Sequence, residues 1–212
     1  MKDFLGTVLM RGWLRFVWLF SARRTVHGIR AAVFAEDADK CFERLDEGLV
    51  SIAEHDPHAF SNLQLFGGIL VFGNERFRSA YWSDSARLCV VTERYLLSPS
   101  LRSEELALTL VHEAMHARLY KAGVTYREGR RAAIEVLCAM AELRLARRIP
   151  PQNELVGEIE GRIDNWATTG EQKWSDRSMH SKKVEYLREL GTPGWVVAIV
   201  DRLARLIHKR AA

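Results

Sequence analysis

The spacing of hydrophobic residues divides the chain into an apolar N-terminal stretch, one amphipathic helix, a strand-rich segment and a helical second half. Residues 36–54 have helical spacing, and their apolar positions fall near one face: Ala38, Cys41, Phe42, Leu45, Leu49, Ile52 and Ala53. Pro57 ends this pattern, because proline disfavours helical backbone in the residue before it. We therefore predict a scaffold helix over residues 36–54.

Residues 60–97 change to short runs of β-branched and aromatic side chains, which clusters of glycine and serine interrupt. These runs predict two to four antiparallel strands, of which Tyr81–Val91 is the clearest hairpin. The glycines of this segment lack the strand–glycine–helix order of a phosphate-binding loop. No glycine-rich phosphate-binding loop is therefore expected.

Helical patterns dominate the second half of the chain. One helix is predicted from Ser100 or Ser103, either of which can cap its start, to about residue 121. A second is predicted over about residues 127–148, where two prolines follow. Further helical segments are predicted at residues 154–166, 184–190 and 195–207.

These elements predict an α+β fold, in which a small antiparallel sheet packs on two long helices and further helices extend both ends. We divide the chain into an apolar N-terminal helix (residues 1–24), a core (residues 25–151) and a helical C-terminal extension (residues 152–212). A chain of 212 residues with 48% hydrophobic and 27% charged residues is long enough to bury a core of useful size.

The N-terminal stretch, residues 4–20, is strongly apolar, but Arg11 and Arg15 interrupt it. No uninterrupted apolar run approaches the roughly 20 residues of a membrane-spanning helix. Three interpretations stay open: a helix packed on its own domain or on a partner, a helix lying in the plane of a membrane surface, and a signal or spanning segment.

Net charge and cysteine content limit the classes of partner and the compartment. A net charge of +4 is too weak to indicate nucleic acid without a clustered basic patch. Cys41, Cys89 and Cys138 are odd in number and far apart, which argues against a disulfide framework. We expect buried thiols in a reducing compartment, hence a cytoplasmic protein, which would be peripheral on a membrane if residues 4–20 contact one.

The candidate chemistry lies in the first long predicted helix, at His112-Glu113-Ala114-Met115-His116. Histidines four positions apart on a helix project from one face, one turn apart, and can bind one Zn²⁺. Glu113 flanks the same face, where a carboxylate can take a proton from a zinc-activated water. The motif predicts a zinc-dependent hydrolase with Glu113 as general base.

A catalytic zinc usually has three protein ligands, so a third is expected. The next helix offers Glu128, Glu135 and Glu142. If the two helices form an antiparallel pair whose ends meet near residues 121 and 127, the residue numbers of two facing positions add up to about 248. The midpoint of the two histidines, position 114, then faces about position 134. This selects Glu135, because the other two glutamates lie roughly 10 Å away along the axis. We interpret Glu128 and Glu142 as part of a solvated helix face, paired with Arg131 or with Arg144–Arg148.

An H-E-x-x-H helix followed by a helix that carries a glutamate about twenty residues later resembles the gluzincin branch of the zincin metallopeptidases. The resemblance covers about Leu63–Pro151. It implies that His112, His116 and Glu135 hold Zn²⁺, that Glu113 is the base, and that an extended peptide or protein substrate pairs with the strand at Arg87–Thr92.

The chain departs from that pattern at two positions. Arg118 stands where the signature has an apolar residue, and Ala139 stands where many gluzincins have an aspartate that orients a histidine. Candidates for stabilising an oxyanion are Tyr126, His180 and Tyr186. Two alternatives to a peptidase are a catalytically silent zinc-binding module of the same fold and a helical interaction protein without metal.

Overall fold

A computed structural model describes residues 2–73, 80–150, 153–173 and Gly194. In these residues the elements follow in the order α1 (Lys2–Leu19), β1 (Ala22–Val26), β2 (Ile29–Phe34), α2 (Ala38–His55), α3 (Pro57–Leu63), β3 (Ile69–Phe72), β4 (Ala80–Ser83), β5 (Leu88–Thr92), α4 (Glu93–Leu96), α5 (Ser103–Lys121), α6 (Glu128–Ala146) and α7 (Asn153–Lys173). The α+β class predicted from the sequence is confirmed. The helices predicted at 184–190 and 195–207 lie outside the described residues.

The five strands form one mixed sheet in the order β1-β2-β3-β5-β4. The β1–β2 and β4–β5 pairs are antiparallel, and the predicted hairpin is the β4–β5 pair. The β2–β3 and β3–β5 pairs are parallel, so the expectation of an antiparallel sheet is wrong for the centre. The reason is the connection from β2 to β3, because α2 and α3 carry the chain back and let β3 run parallel to β2.

Helices cover both faces of this sheet. Leu14 and Val17 of α1 form a buried cluster with Ala32, Leu70 and Val90 on one face. The helices α2 and α5 pack on the other face, in the larger core. Of the three interpretations left open for this stretch, a helix packed on its own domain describes the side of α1 that carries Leu14 and Val17. No helix among the described residues is long and apolar enough to cross a membrane.

The long helix α5 lies in the middle of the molecule, between α2, α3 and α6. Its buried residues are spread around its circumference, as expected for a helix enclosed on several sides: Leu106, Ala107, Leu108, Leu110, Val111, Glu113, Ala114 and Ala117. Its start differs from the prediction, because the carboxylate of Glu105 accepts the backbone N–H of Arg102 at 3.1 Å and no serine caps it.

One buried carboxylate ties α3 to α6. Asp56 accepts the backbone N–H of Ala59 at 2.9 Å and caps α3. Its oxygens also lie 3.0 Å from Arg144 Nε and 3.1 Å from Arg148 Nη1. The two arginines that we expected to pair with Glu142 therefore pair with Asp56 and fix the C-terminal part of α6 to the scaffold helices.

Candidate metal centre

The three predicted ligands converge between α5 and α6. Nε2 of His112 lies 3.2 Å from Nε2 of His116 and 3.3 Å from Oε2 of Glu135. The distance from His116 Nε2 to Glu135 Oε1 is 3.6 Å. All three side chains are largely withdrawn from solvent. The two helices run antiparallel, which brings Glu135 opposite the histidines. Its position along the helix axis is the one predicted from the residue numbers of facing positions.

The spacing of these atoms matches a tetrahedral zinc site. For metal–ligand bonds of about 2.0–2.2 Å, two ligand atoms of a tetrahedron lie roughly 3.3–3.6 Å apart. Two imidazoles and one carboxylate are a common catalytic donor set for zinc, with a fourth position left for water. The residues therefore fit a zinc ion in both chemistry and spacing.

A second carboxylate contacts the other ring nitrogen of His112. Oε1 of Glu142 forms a short hydrogen bond with Nδ1 of His112, and its other oxygen accepts from Arg162 of α7. An imidazole that donates from Nδ1 presents the lone pair of Nε2 to the metal position. The interpretation of Glu142 as part of a solvated helix face is wrong, because its side chain is buried in this contact. The side chain of Glu128 lies outside the described residues.

The direction of helical side chains explains why Glu142 reaches His112 despite the axial offset. Side chains on a helix lean towards its N-terminus. In an antiparallel pair, His112 therefore leans towards the C-terminal part of α6, and Glu142 leans back to meet it. The offset of roughly 10 Å excludes Glu142 as a ligand of the same metal but does not prevent a hydrogen bond to the far side of the imidazole.

The third carboxylate of the site belongs to Glu113. Its Oε2 accepts the backbone N–H of Trp82 in β4 at 2.6 Å. Burial raises the pKa of Glu113 to about 7, and the neighbouring His112 and the Trp82 N–H only partly offset this. A carboxylate with a pKa near neutral can both accept and return a proton at physiological pH.

The glutamates that are buried among the described residues are Glu113, Glu135 and Glu142, and all three lie at this site. Buried charges in proteins are paired or coordinate metals. The adjacent cationic groups are the guanidinium of Arg162 and the imidazolium of His112. An excess of negative charge around an inward-facing imidazole pair is the environment that a divalent cation requires.

These charges separate the pKa values of the two histidines. Burial lowers the pKa of His112, but hydrogen bonds to Glu135 and Glu142 outweigh it and raise this pKa to about 10. Burial and the charge on His112 lower the pKa of His116 to about 4. In the metal-free chain at neutral pH, His112 is therefore protonated and His116 is neutral.

Cys138 is a further donor that sequence reasoning did not place at the site. Its Sγ and nitrogens of His112 and His116 all lie within 4.8 Å of one another, and the thiol is buried. Cys138 follows Glu135 by three residues, so the same face of α6 carries both. Glu135 is a candidate third ligand, because its Oε2 lies 3.3 Å from Nε2 of His112 and its Oε1 lies 3.6 Å from Nε2 of His116. Cys138 is a candidate for the fourth position.

An open cleft of about 350 Å³ leads to these residues. Its walls are rich in aromatic side chains, namely Tyr81, Trp82, Tyr120 and Tyr126. The hydroxyl of Tyr126 donates to Oε1 of Glu135 at 2.6 Å, so the tyrosine holds the carboxylate of the candidate ligand. The other two oxyanion candidates, His180 and Tyr186, lie outside the described residues. Arg118 is exposed, so the departure from the zincin signature buries no charge.

The strand beside the cleft is not the one that we predicted. β5, which contains most of residues 87–92, lies between β3 and β4 and has no unpaired edge. Among the strands that the structure describes, β4 forms the edge of the sheet beside the cleft, and its Trp82 N–H points away from β5 towards Glu113. Any peptide that extends the sheet at this site must therefore add to β4.

Comparison with protein-family models, with curated protein sequences and with solved structures gave no match.

Proposed function

We propose that this chain is a zinc-dependent hydrolase, most specifically a metallopeptidase of the zincin type. His112, His116 and Glu135 hold the metal, and Glu113 is the general base. The observation that carries the proposal is the meeting of two Nε2 atoms and one carboxylate at 3.2–3.6 Å, with a buried glutamate of raised pKa beside them. When bound, zinc would polarise the scissile carbonyl and activate a water molecule.

The roles of the protein residues follow from their positions. The carboxylate of Glu113 takes a proton from the attacking water and delivers it to the leaving nitrogen. Tyr126 holds Glu135, and Glu142 holds His112, so both ligands keep their orientation while the proton moves. The cleft accommodates an extended chain along β4, and its aromatic walls exclude water from apolar side chains of the substrate.

The experiment measures zinc content and cleavage separately. We expect about one zinc per chain in the purified protein, and loss of that zinc in His116→Ala. Glu113→Gln should keep the zinc and abolish cleavage of a peptide library. Zinc-free protein in both wild type and His116→Ala would refute the metal site, and unchanged cleavage by Glu113→Gln would remove Glu113 as base.

One observation favours a second candidate, a catalytically silent zinc-binding module. If the thiol of Cys138 fills the fourth position, four protein ligands close the site, as in structural zinc centres. Substitution of cobalt for zinc distinguishes the two. A near-ultraviolet thiolate-to-cobalt band that disappears in Cys138→Ala supports the silent module, whereas its absence in the wild type supports an open, catalytic site.

A further inference from the structure

The surface of α1 that faces away from the sheet is apolar and aromatic. Trp13, Phe16, Leu19 and Phe20 are 57%, 53%, 65% and 66% exposed. The rings of Trp13 and Phe16 stack with centroids 6.1 Å apart, and those of Phe16 and Phe20 lie 4.7 Å apart. We call these four residues the aromatic ridge. Large exposed apolar side chains gathered in one place indicate an interaction surface.

The other side of α1 fixes the orientation of this ridge. Leu14 and Val17 are buried on the sheet, and the indole of Trp18 covers Gly68, where a Cβ atom would come within 2.2 Å of the ring. At about 100° per residue, Phe16 and Leu19 lie opposite the buried stripe. The sheet therefore holds the aromatic ridge outward.

Positive charge surrounds the ridge. Arg11 and Arg15 are exposed on α1 and lie on one flank of the outward face. Arg23 and Arg30 are exposed on β1 and β2. Arg23 is the register partner of Ala32, which is buried under α1, and Arg30 precedes Ala32 by two residues. Both arginines therefore lie on the sheet face that α1 covers.

The charge of the chain is concentrated in this region. Residues 1–35 contain six basic residues and one acidic residue, Asp3, which gives +5, whereas the whole chain carries +4. Aromatic side chains flanked by arginines suit the boundary between lipid headgroups and acyl chains, and clustered basic residues are attracted to anionic lipids. This charge complementarity decides between an anionic bilayer and a second copy of the chain, whose own ridge is flanked by the same positive charges.

We propose that the aromatic ridge of α1, together with Arg11, Arg15, Arg23 and Arg30, docks this protein on the surface of an anionic lipid bilayer. The helix lies in the plane of the membrane, with its ridge among the headgroups. The helix α5 packs on the opposite face of the sheet, so the candidate metal centre stays on the water side of the docked protein. This inference is independent of any zinc chemistry.

The test is sedimentation of the full chain with phosphatidylcholine vesicles, with and without phosphatidylglycerol, at low and high salt. We expect at least tenfold stronger partitioning onto the anionic vesicles, weakened by salt. The double variant Trp13→Ser/Phe16→Ser should lose tenfold or more. Arg11→Glu/Arg15→Glu should lose more than about 25-fold, because each basic residue near an anionic surface contributes roughly fivefold.

The matched control is Leu137→Ser/Met140→Ser, which removes two exposed apolar side chains from α6, 43% and 54% exposed. It should bind anionic vesicles as the wild type does. Vesicles that carry brominated lipid should quench the fluorescence of the wild type more than that of Trp13→Phe.

Three results would overturn the proposal. One is no binding of the wild type to anionic vesicles. Another is equal loss in the ridge variant and the α6 control. The third is a dimer that the ridge variant converts to monomer without any vesicle binding, which would make the ridge an interface between copies. The ridge side chains are exposed, so the variants should keep the thermal stability of the wild type, which thermal unfolding verifies.

Discussion

The contact between Glu142 and His112 predicts that zinc affinity depends on a residue that does not touch the metal. Glu142 accepts from Nδ1 of His112 and is itself held by Arg162. Replacement of such hydrogen-bonding partners of metal-bound histidines typically costs 10–100-fold in metal affinity. That range corresponds to about 1.4–2.7 kcal/mol of binding free energy.

The two obvious substitutions at Glu142 separate charge from geometry. Glu142→Gln keeps an oxygen that accepts from His112 Nδ1 but removes the negative charge, so we expect a loss near the tenfold end. Glu142→Ala removes both and should approach 100-fold. Glu135→Ala should cost more than either, because it removes a ligand atom. The side chain of Arg162 is 39% exposed and can take water when Glu142 is removed, so the fold should persist.

The assay is competition for zinc against a chromophoric chelator, with thermal unfolding as a check on folding. Glu160→Gln is the matched control, because Glu160 also joins α6 to α7, through Arg147 at 2.6 Å, without contacting the site. Zinc affinity of Glu142→Ala within twofold of the wild type would refute the reasoning. So would an equal loss in Glu160→Gln, which would indicate that general packing of α7 matters and not the contact with His112.

Three further predictions concern protons and stability. In the metal-free chain the pKa of His112 is raised to about 10 and that of His116 is lowered to about 4. Zinc binding at pH 7–9 should therefore release about one proton, and zinc affinity should rise roughly tenfold per pH unit. Calorimetry in buffers of different ionisation enthalpy counts the proton, and a zinc affinity that does not change with pH would contradict this prediction. Asp56→Ala should lower the free energy of unfolding by about 2 kcal/mol, through the lost cap and ion pairs. Burial opposes ionisation of Asp56, but the Ala59 N–H, Arg144 and Arg148 outweigh it and lower the pKa of Asp56 from 3.8. The contribution of Asp56 to stability is therefore full above pH 3.8, and the deficit of the variant should shrink in denaturant titrations as the pH falls below that value. Gly68→Ala should destabilise the protein by about 1–3 kcal/mol because its Cβ would collide with the ring of Trp18, and an unchanged melting temperature would disprove that packing.

The helices of the second half were readable from the sequence because each depends on local patterns. The predicted bounds of α5 and α6 lie within a few residues of the observed 103–121 and 128–146. The choice of Glu135 followed from the length of these two helices and the short loop between them, because rise per residue alone sets which positions face one another. The helix α7 is longer than predicted, since its polar second half carries little apolar signal.

The sheet was harder to predict, because strand order and direction depend on contacts that are distant in sequence. β1 and β2 were missed. β1 is mostly exposed and arginine-rich, and so lacks the alternation of a half-buried strand. β5 was correctly found as a strand, but its two neighbours, which remove it from the edge, come from separate parts of the chain. The edge position of β4 is thus a property of the assembled sheet.

The sequence by itself determined the chemistry that this protein can offer: two histidines and a glutamate on one helix, a facing glutamate on the next, and an apolar N-terminal helix with arginines. Only the tertiary structure decided which other side chains join them. Glu142, Arg162, Cys138 and Trp82 reach the site through the packing of α6, α7 and β4. No local pattern marks such residues, because hydrogen bonds between elements depend on where those elements dock. The His112-Glu113-x-x-His116 motif therefore predicts a metal site, while its supporting contacts could be read only from the folded chain.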